Sequence, residues 1–122
     1  TSSMLCADNM KNFRMFIFGG EGFPKLKLKQ LYELYGDRAR LLNVYGPTEC
    51  TCICSEYFIS DADFEDMANL APLGKMTKNF FYEIVDDNMT PASKGELLLG
   101  GPNVGTVARR GFNGTLDHLV RR

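Results

Sequence analysis

Asn43-Val44-Tyr45-Gly46-Pro47-Thr48-Glu49 gathers an amide, a phenol ring, a hydroxyl and a carboxylate in one short stretch. Strand geometry would deliver Asn43 and Tyr45 to one side of the chain, two residues apart. Gly46-Pro47 would then turn the chain sharply and remove a backbone donor. Thr48 and Glu49 would follow just beyond a strand's C-terminal end, where open α/β sheets bind ligands. This set of groups suits a nucleotide. An aromatic ring stacks on a base, and an amide reads a base edge. A hydroxyl meets a phosphate oxygen, and a carboxylate holds Mg2+. On chemistry alone, an ordinary strand end with a helix-capping Thr48 explains the same residues equally well.

Other reactive side chains give weaker signals. The chain has four cysteines, Cys6, Cys50, Cys52 and Cys54, and one histidine, His118. Three of the cysteines form a C-x-C-x-C run, too tightly spaced for easy bridging along an extended strand. Zinc sites favour C-x2–4-C pairs with a second pair or histidines. Buried, reduced thiols acting as small hydrophobes are therefore the expected role, ahead of a metal site. Lys25–Lys29 alternates Lys with Leu and Gln and reads as a solvated helix face rather than a binding patch.

The elements that must position the heptapeptide can be read on either side of it. Phe13–Phe18 is an apolar and aromatic run ending at Gly19-Gly20, which predicts a buried strand and a glycine turn. Pro24 is a favoured first helical residue. Leu26, Leu28, Leu31, Leu34 and Tyr35 follow at roughly helical spacing, and Gly36 is a plausible stop. Arg40–Tyr45 reads as a second strand. Strand, helix and strand together imply a parallel β-α-β unit. Thr51–Ile59 reads as extended. Ser60–Asp63 gives a cap signal for a short helix over Phe64–Leu70. Beyond Pro72, Phe80–Val85 and Glu96–Leu99 read as strands, with Asp86-Asp87-Asn88 and Ser93-Lys94-Gly95 as turn material.

These readings give an α/β class, with a parallel-sheet part followed by a β-rich, barrel-like part. The expected organisation is a partial α/β subdomain over 1–70, a partial β-barrel subdomain over 71–104 and a divergent tail over 105–122. The tail has scattered arginines, weak periodicity and no closing element. It is expected to leave a sheet edge prone to association.

Bulk properties set outer bounds. The 122 residues suit one small domain or part of a larger one, and 44% hydrophobic content supplies a core. A net charge of −1 gives no global basic field for nucleic acid or a membrane surface. No apolar run approaches the ~20 residues of a membrane span. Thr1-Ser2-Ser3-Met4 lacks the basic-then-apolar pattern of a secretory signal, so cytoplasmic is the default expectation.

The heptapeptide resembles the Asn-x-Tyr-Gly-Pro-Thr-Glu core motif of the adenylate-forming superfamily. That group includes amino-acid adenylation domains, D-alanine–carrier protein ligases and acyl-CoA synthetases. Two further stretches match in order. Phe16–Pro24 resembles the family's strand-to-loop Gly-Gly-Glu-x-Leu-Pro element, and Gly95–Val104 its Gly-Glu-Leu-x-Ile-x-Gly element. Between them, Ala71–Lys75 resembles a Pro-Ile-Gly-Lys/Arg-Pro stretch. Ordered matches of this length are far more specific than a lone glycine pattern.

The resemblance implies the large N-terminal domain of such enzymes and a site for ATP or AMP with Mg2+. Asn43 would approach the adenine edge, and Tyr45 would stack on the base. Gly20 and Glu21 would line the pocket, with Gly46 among the nucleotide contacts. Thr48 would meet the α-phosphate, and Glu49 would help coordinate Mg2+. Thr48 and Glu49 are therefore the expected catalytic residues. The implied reaction joins ATP and a carboxylate, giving an acyl-adenylate and pyrophosphate. The acyl group then passes to a thiol, of a phosphopantetheine carrier protein or CoA.

The Gly-Gly-Glu element favours the amino-acid-activating branch, with D-alanine among the candidate substrates. Some D-alanine ligases have cysteine where this chain has Gly19. The family's Ser/Thr/Gly-rich phosphate loop, its Tyr-Arg-Thr-Gly-Asp ribose segment and its C-terminal catalytic lysine have no counterpart in these residues. Val104–Asn113 keeps an Arg-Gly-Phe echo and then drifts. The expectation is a fragment whose parent is a ligase but which is inactive alone. A non-catalytic remnant or scaffold that does not bind ATP ranks second, and an unrelated α/β binding module third.

Overall fold

The computed structural model describes residues 10–104 and 119–120. Their order is β1 (Met15–Gly19), α1 (Lys25–Tyr35), β2 (Arg40–Tyr45), β3 (Ser55–Phe58), β4 (Lys75–Met76), β5 (Phe81–Val85), β6 (Glu96–Gly100) and β7 (Leu119–Val120). They divide into two compact units. One comprises residues up to Val44 together with Glu56–Gly74, and the other Tyr45–Ser55 together with residues from Lys75 onward.

In the first unit, β1 and β2 pair in parallel, with Phe18 opposite Asn43 and Gly19 opposite Val44. The crossover is α1. The Pro24 carbonyl accepts from the Lys27 and Leu28 N–H groups, and the Gly36 N–H donates to the Tyr32 carbonyl at the other end. The strand–helix–strand reading therefore holds, including the stop at Gly36. Leu28, Leu31 and Tyr35 form the buried stripe at three- and four-residue spacing. Leu26 and Leu34, expected on that stripe, are 63% and 44% exposed because they fall off its axis.

The helix covers only one face of the sheet. Phe16 packs in a tilted contact on Tyr35, with ring centres 5.0 Å apart, and Phe18 on Phe23 at 4.9 Å. Met15 and Ile17 point the other way and are 40% and 59% exposed. The expectation of a buried strand is corrected to a half-buried one. β1 is also the first strand of its sheet.

Two further expectations change. Lys25 is buried, not part of a solvated face, and its ammonium donates to the carbonyls of Asp63 and Asp66. Ser60 does cap a helical turn, and its hydroxyl and N–H both meet the Asp63 carboxylate. That turn, however, is a 3-10 turn over Asp61–Phe64, and no helix covers Phe64–Leu70. The Asp66 carboxylate accepts from the Ala68 N–H and the Asn69 side chain, which offers the backbone an alternative to helix.

In the second unit, β5 and β6 are antiparallel, with Phe81 opposite Gly100 and Val85 opposite Glu96. β7 adds to β6, with Leu97 opposite Val120. A strand thus stands where the tail was expected to lack a closing element. The remainder of that tail, His118 included, and Cys6 lie outside the described residues. Among the described residues, no helix is long and apolar enough to cross a membrane.

Candidate functional site

The expected site residues fall in both units. In the first, parallel pairing brings the C-terminal ends of β1 and β2 to the same edge. Gly20 and Glu21 leave β1 there and are both exposed. Gly20 has φ +91°, a backbone region that favours glycine, and a Cβ built on it would meet nothing within 4 Å. Asn43 sits on β2 opposite Phe18 and is 8% exposed. Its side-chain amide donates to the Pro72 carbonyl at 2.8 Å. The Ala71–Lys75 stretch therefore meets the heptapeptide's first residue directly. Gly22 lies beneath the Leu70 side chain, so the Gly-Gly-Glu loop and the segment leading to Pro72 pack together.

In the second unit, Tyr45–Ser55 forms a closed loop. The Cys54 N–H donates to the Tyr45 carbonyl at 2.8 Å and shuts its base. Gly46 lies against the Cys52 carbonyl so closely that a Cβ would collide with it. Thr48–Cys50 is a single 3-10 turn in which the Cys50 and Thr51 N–H groups donate to the Pro47 and Thr48 carbonyls. Thr48 and Glu49 face solvent on it. Cys50 and Cys54 are fully buried with Leu99, and the half-buried Tyr45 packs against that cluster.

Cys50 and Cys54 are free thiols, as expected, whereas Cys52 is exposed. Burial raises both buried thiols in pKa, Cys54 to about 12. Nucleophilic work by either is disfavoured, since the thiolate is the reactive form. Among the described residues no group of three or more His, Cys, Asp or Glu side chains is placed to hold a metal ion. Thr48 and Glu49 place one hydroxyl and one carboxylate on the same exposed turn. That donor set fits Mg2+, which is usually held by one or two carboxylates together with substrate phosphates.

Sequence reasoning did not single out Thr51 or Asn103. Thr51 ends the 3-10 turn with φ 65° and ψ −27°. Its hydroxyl donates to the Asn103 carbonyl at 2.8 Å. The heptapeptide's loop and the Gly95–Val104 element thereby meet inside one unit, although 52 residues separate the two partners.

The family model described as "AMP-binding enzyme" matches residues 3–107. The chain belongs to the AMP-binding enzyme family. It is 32% identical over 105 residues to the beta-alanine-activating enzyme of Danio rerio, covering 82% of this chain and 9% of that protein. It is 31% identical over 102 residues to the D-alanine–D-alanyl carrier protein ligase of Streptococcus equi, covering 81% of this chain and 20% of that protein. The chain thus spans at most about a fifth of these two relatives.

Among solved structures, PA1221, a nonribosomal peptide synthetase protein containing adenylation and carrier domains, matches with a TM-score of 0.75 at 20% identity. The match covers 95% of this chain and 26% of PA1221. CmiS6 matches with a TM-score of 0.70 at 24% identity over 80% of this chain and 24% of that one. At such identities the likeness establishes the fold alone, a mixed α/β arrangement that makes up part of each of those chains. Members of this family among the relatives are amino-acid-activating enzymes and carrier-protein ligases by name.

Proposed function

We propose that this AMP-binding chain carries part of the nucleotide site of an ATP-dependent ligase. The parent would activate a carboxylate, an amino acid such as D-alanine, as an acyl-adenylate and pass it to a carrier-protein thiol. The observation that carries this reading is the heptapeptide itself. It ends β2 and then runs into a closed loop with Thr48 and Glu49 exposed on one turn. The match to the AMP-binding family over residues 3–107 supports the same reading.

In this proposal the chain's residues bind and orient. In the first unit Asn43 would read the adenine edge and the backbone at Gly20 and Glu21 would contact the nucleotide; in the second Tyr45 would stack on adenine, with Gly46 among the nucleotide contacts. One Asn43 N–H is committed to Pro72, so the base is met by its remaining N–H and Oδ1. The Thr48 hydroxyl donates to an α-phosphate oxygen, and the Glu49 carboxylate holds Mg2+. The ion, when bound, supplies positive charge against the phosphate oxygens. Catalysis in this scheme is positioning and charge neutralisation. Turnover would need parts of the parent beyond these residues, and the proposed setting is the cytoplasm.

Isothermal titration with Mg·ATP tests the reading. Weak binding that is lost on Tyr45→Ala is the expected result. Absence of binding at millimolar nucleotide would favour the second reading, a remnant that keeps the fold without the ligand. Commitment of the Asn43 amide to Pro72 is the observation on that side.

A further inference from the structure

Thr51 stands out in the second unit for its backbone. Its φ of 65° puts a β-branched residue in the left-handed region, where such residues are outliers. The only other non-glycine residue with positive φ among those described is Met89, in a turn between β5 and β6. Strain of this kind persists where surrounding contacts over-determine it, and it concentrates at functional sites.

The surrounding contacts can be named. On one side the Thr51 N–H closes the 3-10 turn onto the Thr48 carbonyl at 3.0 Å. On the other side the Thr51 hydroxyl donates to the Asn103 carbonyl at 2.8 Å. Asn103 is itself held, since the Val104 N–H donates to the Gly101 carbonyl, and Gly101 lies against the Asn79 carbonyl and the Phe80 ring. Cys50, the residue before Thr51, is fully buried with Cys54 and Leu99. The short turn carrying Thr48 and Glu49 is thus fastened at its C-terminal end by one buried side chain and one strained residue.

We infer that Thr51 is a positioning residue: its hydroxyl, anchored on Asn103, holds the Thr48–Cys50 turn so that Thr48 and Glu49 present their oxygens in a set geometry. This rests on the proposed nucleotide reading for its consequence, though not for its geometry. A residue chosen only for stability at this position would be glycine or asparagine, which tolerate a left-handed backbone. Threonine keeps a hydroxyl there at the expense of strain.

Three variants of the chain separate position from stability. Thr51→Ser keeps the hydroxyl, Thr51→Val keeps the branched strain without it, and Thr51→Gly removes both. Amide hydrogen exchange at residues 50 and 51 reads the turn, a thermal midpoint reads stability, and titration with Mg·ATP reads the site. Thr51→Ser should match the parent chain in exchange and affinity. Thr51→Gly should exchange about tenfold faster at both amides and bind Mg·ATP about tenfold more weakly, as loss of one anchoring hydrogen bond implies. Its midpoint should hold, because relief of strain offsets the lost bond. Thr51→Val should lose midpoint, protection and affinity together.

Unchanged exchange in Thr51→Gly would overturn the inference, whatever the nucleotide does. So would unchanged affinity in that variant when the parent chain binds. If the parent chain binds no Mg·ATP, the ligase reading fails, and the exchange contrast alone decides whether Thr51 holds the turn.

Discussion

The side-chain amide of Asn43 donates to the backbone carbonyl of Pro72 at 2.8 Å, tying β2 to a segment 29 residues further along. Asn43 is buried, so the bond forms largely out of water. Asn43→Ala should cost about 1 kcal/mol in urea unfolding, the ordinary worth of such a bond. Asn43→Asp keeps the shape but replaces the donor with an acceptor facing a carbonyl oxygen, and should cost more, about 2–4 kcal/mol. Unfolding of Asn43→Ala at the urea midpoint of the unsubstituted chain would mean that the bond contributes nothing.

Lys25 supplies a second tie for the same segment. Its ammonium meets the carbonyl oxygens of Asp63 and Asp66, at the end of the short 3-10 turn. Cations are favoured at such carbonyl-bearing ends. Lys25→Met preserves the apolar stem and removes the charged donor. It should lower stability by about 2 kcal/mol, in the range for hydrogen bonds to charged groups. Lys25→Arg should recover part of the loss. If Lys25→Met unfolds at the parent chain's urea midpoint, the buried ammonium is not a structural tie.

Gly46 and Gly20 make opposite predictions within the same set of expected nucleotide contacts. A Cβ at Gly46 would collide with the Cys52 carbonyl, whereas one at Gly20 meets open space but sits on φ +91°. Gly46→Ala must displace backbone across the base of the loop and should cost about 2–3 kcal/mol. Its amide spectrum should change from Tyr45 through Cys54. Gly20→Ala pays only the left-handed penalty, about 1–2 kcal/mol, with changes confined to its neighbours. Spectral changes of equal reach in both variants would contradict this division.

What the sequence revealed, and what it did not, follows from the range of each interaction. Periodicity is local, so β1, α1, β2, β5 and β6 could be placed from runs such as Arg40–Tyr45 alone. Composition cannot say which face of a strand is covered, so Ile17 was expected inside and lies 59% exposed. It also cannot say where a long side chain ends, so Lys25 was read as solvated. The cap at Ser60 was legible. The helix expected after it was not, because Asp66 turns back on Ala68 and Asn69. Within the candidate site, the heptapeptide and its flanking stretches could be found by their spelling. The contacts that join them, Asn43 to Pro72 and Thr51 to Asn103, involve backbone carbonyls, which any residue supplies. No residue type marks such an acceptor, and only the fold reveals it.

The buried thiol pair predicts a pH dependence. Burial first, and then its neighbour Cys50, raise the Cys54 thiol to about 12. Its folded pKa therefore lies above its unfolded one, so the folded state retains a proton that the unfolded chain releases. The stabilisation from this group is complete below the unfolded thiol range, and it is lost as pH climbs from there towards about 12. Tyr32 and Tyr57, also raised chiefly by burial, act in the same direction, and Cys50 does too. Urea midpoints measured from about pH 8 to pH 10.5 should fall for the parent chain, with part of the slope assignable to Cys54. Cys54→Ala is expected to start from a lower midpoint, because it leaves a cavity beside Leu99. Its decline with pH should nevertheless be shallower. Over the same range a thiol reagent should modify exposed Cys52 well before Cys50 or Cys54. Parallel pH profiles for the two chains would show that the Cys54 thiol ionises as easily in the folded chain as in the unfolded one.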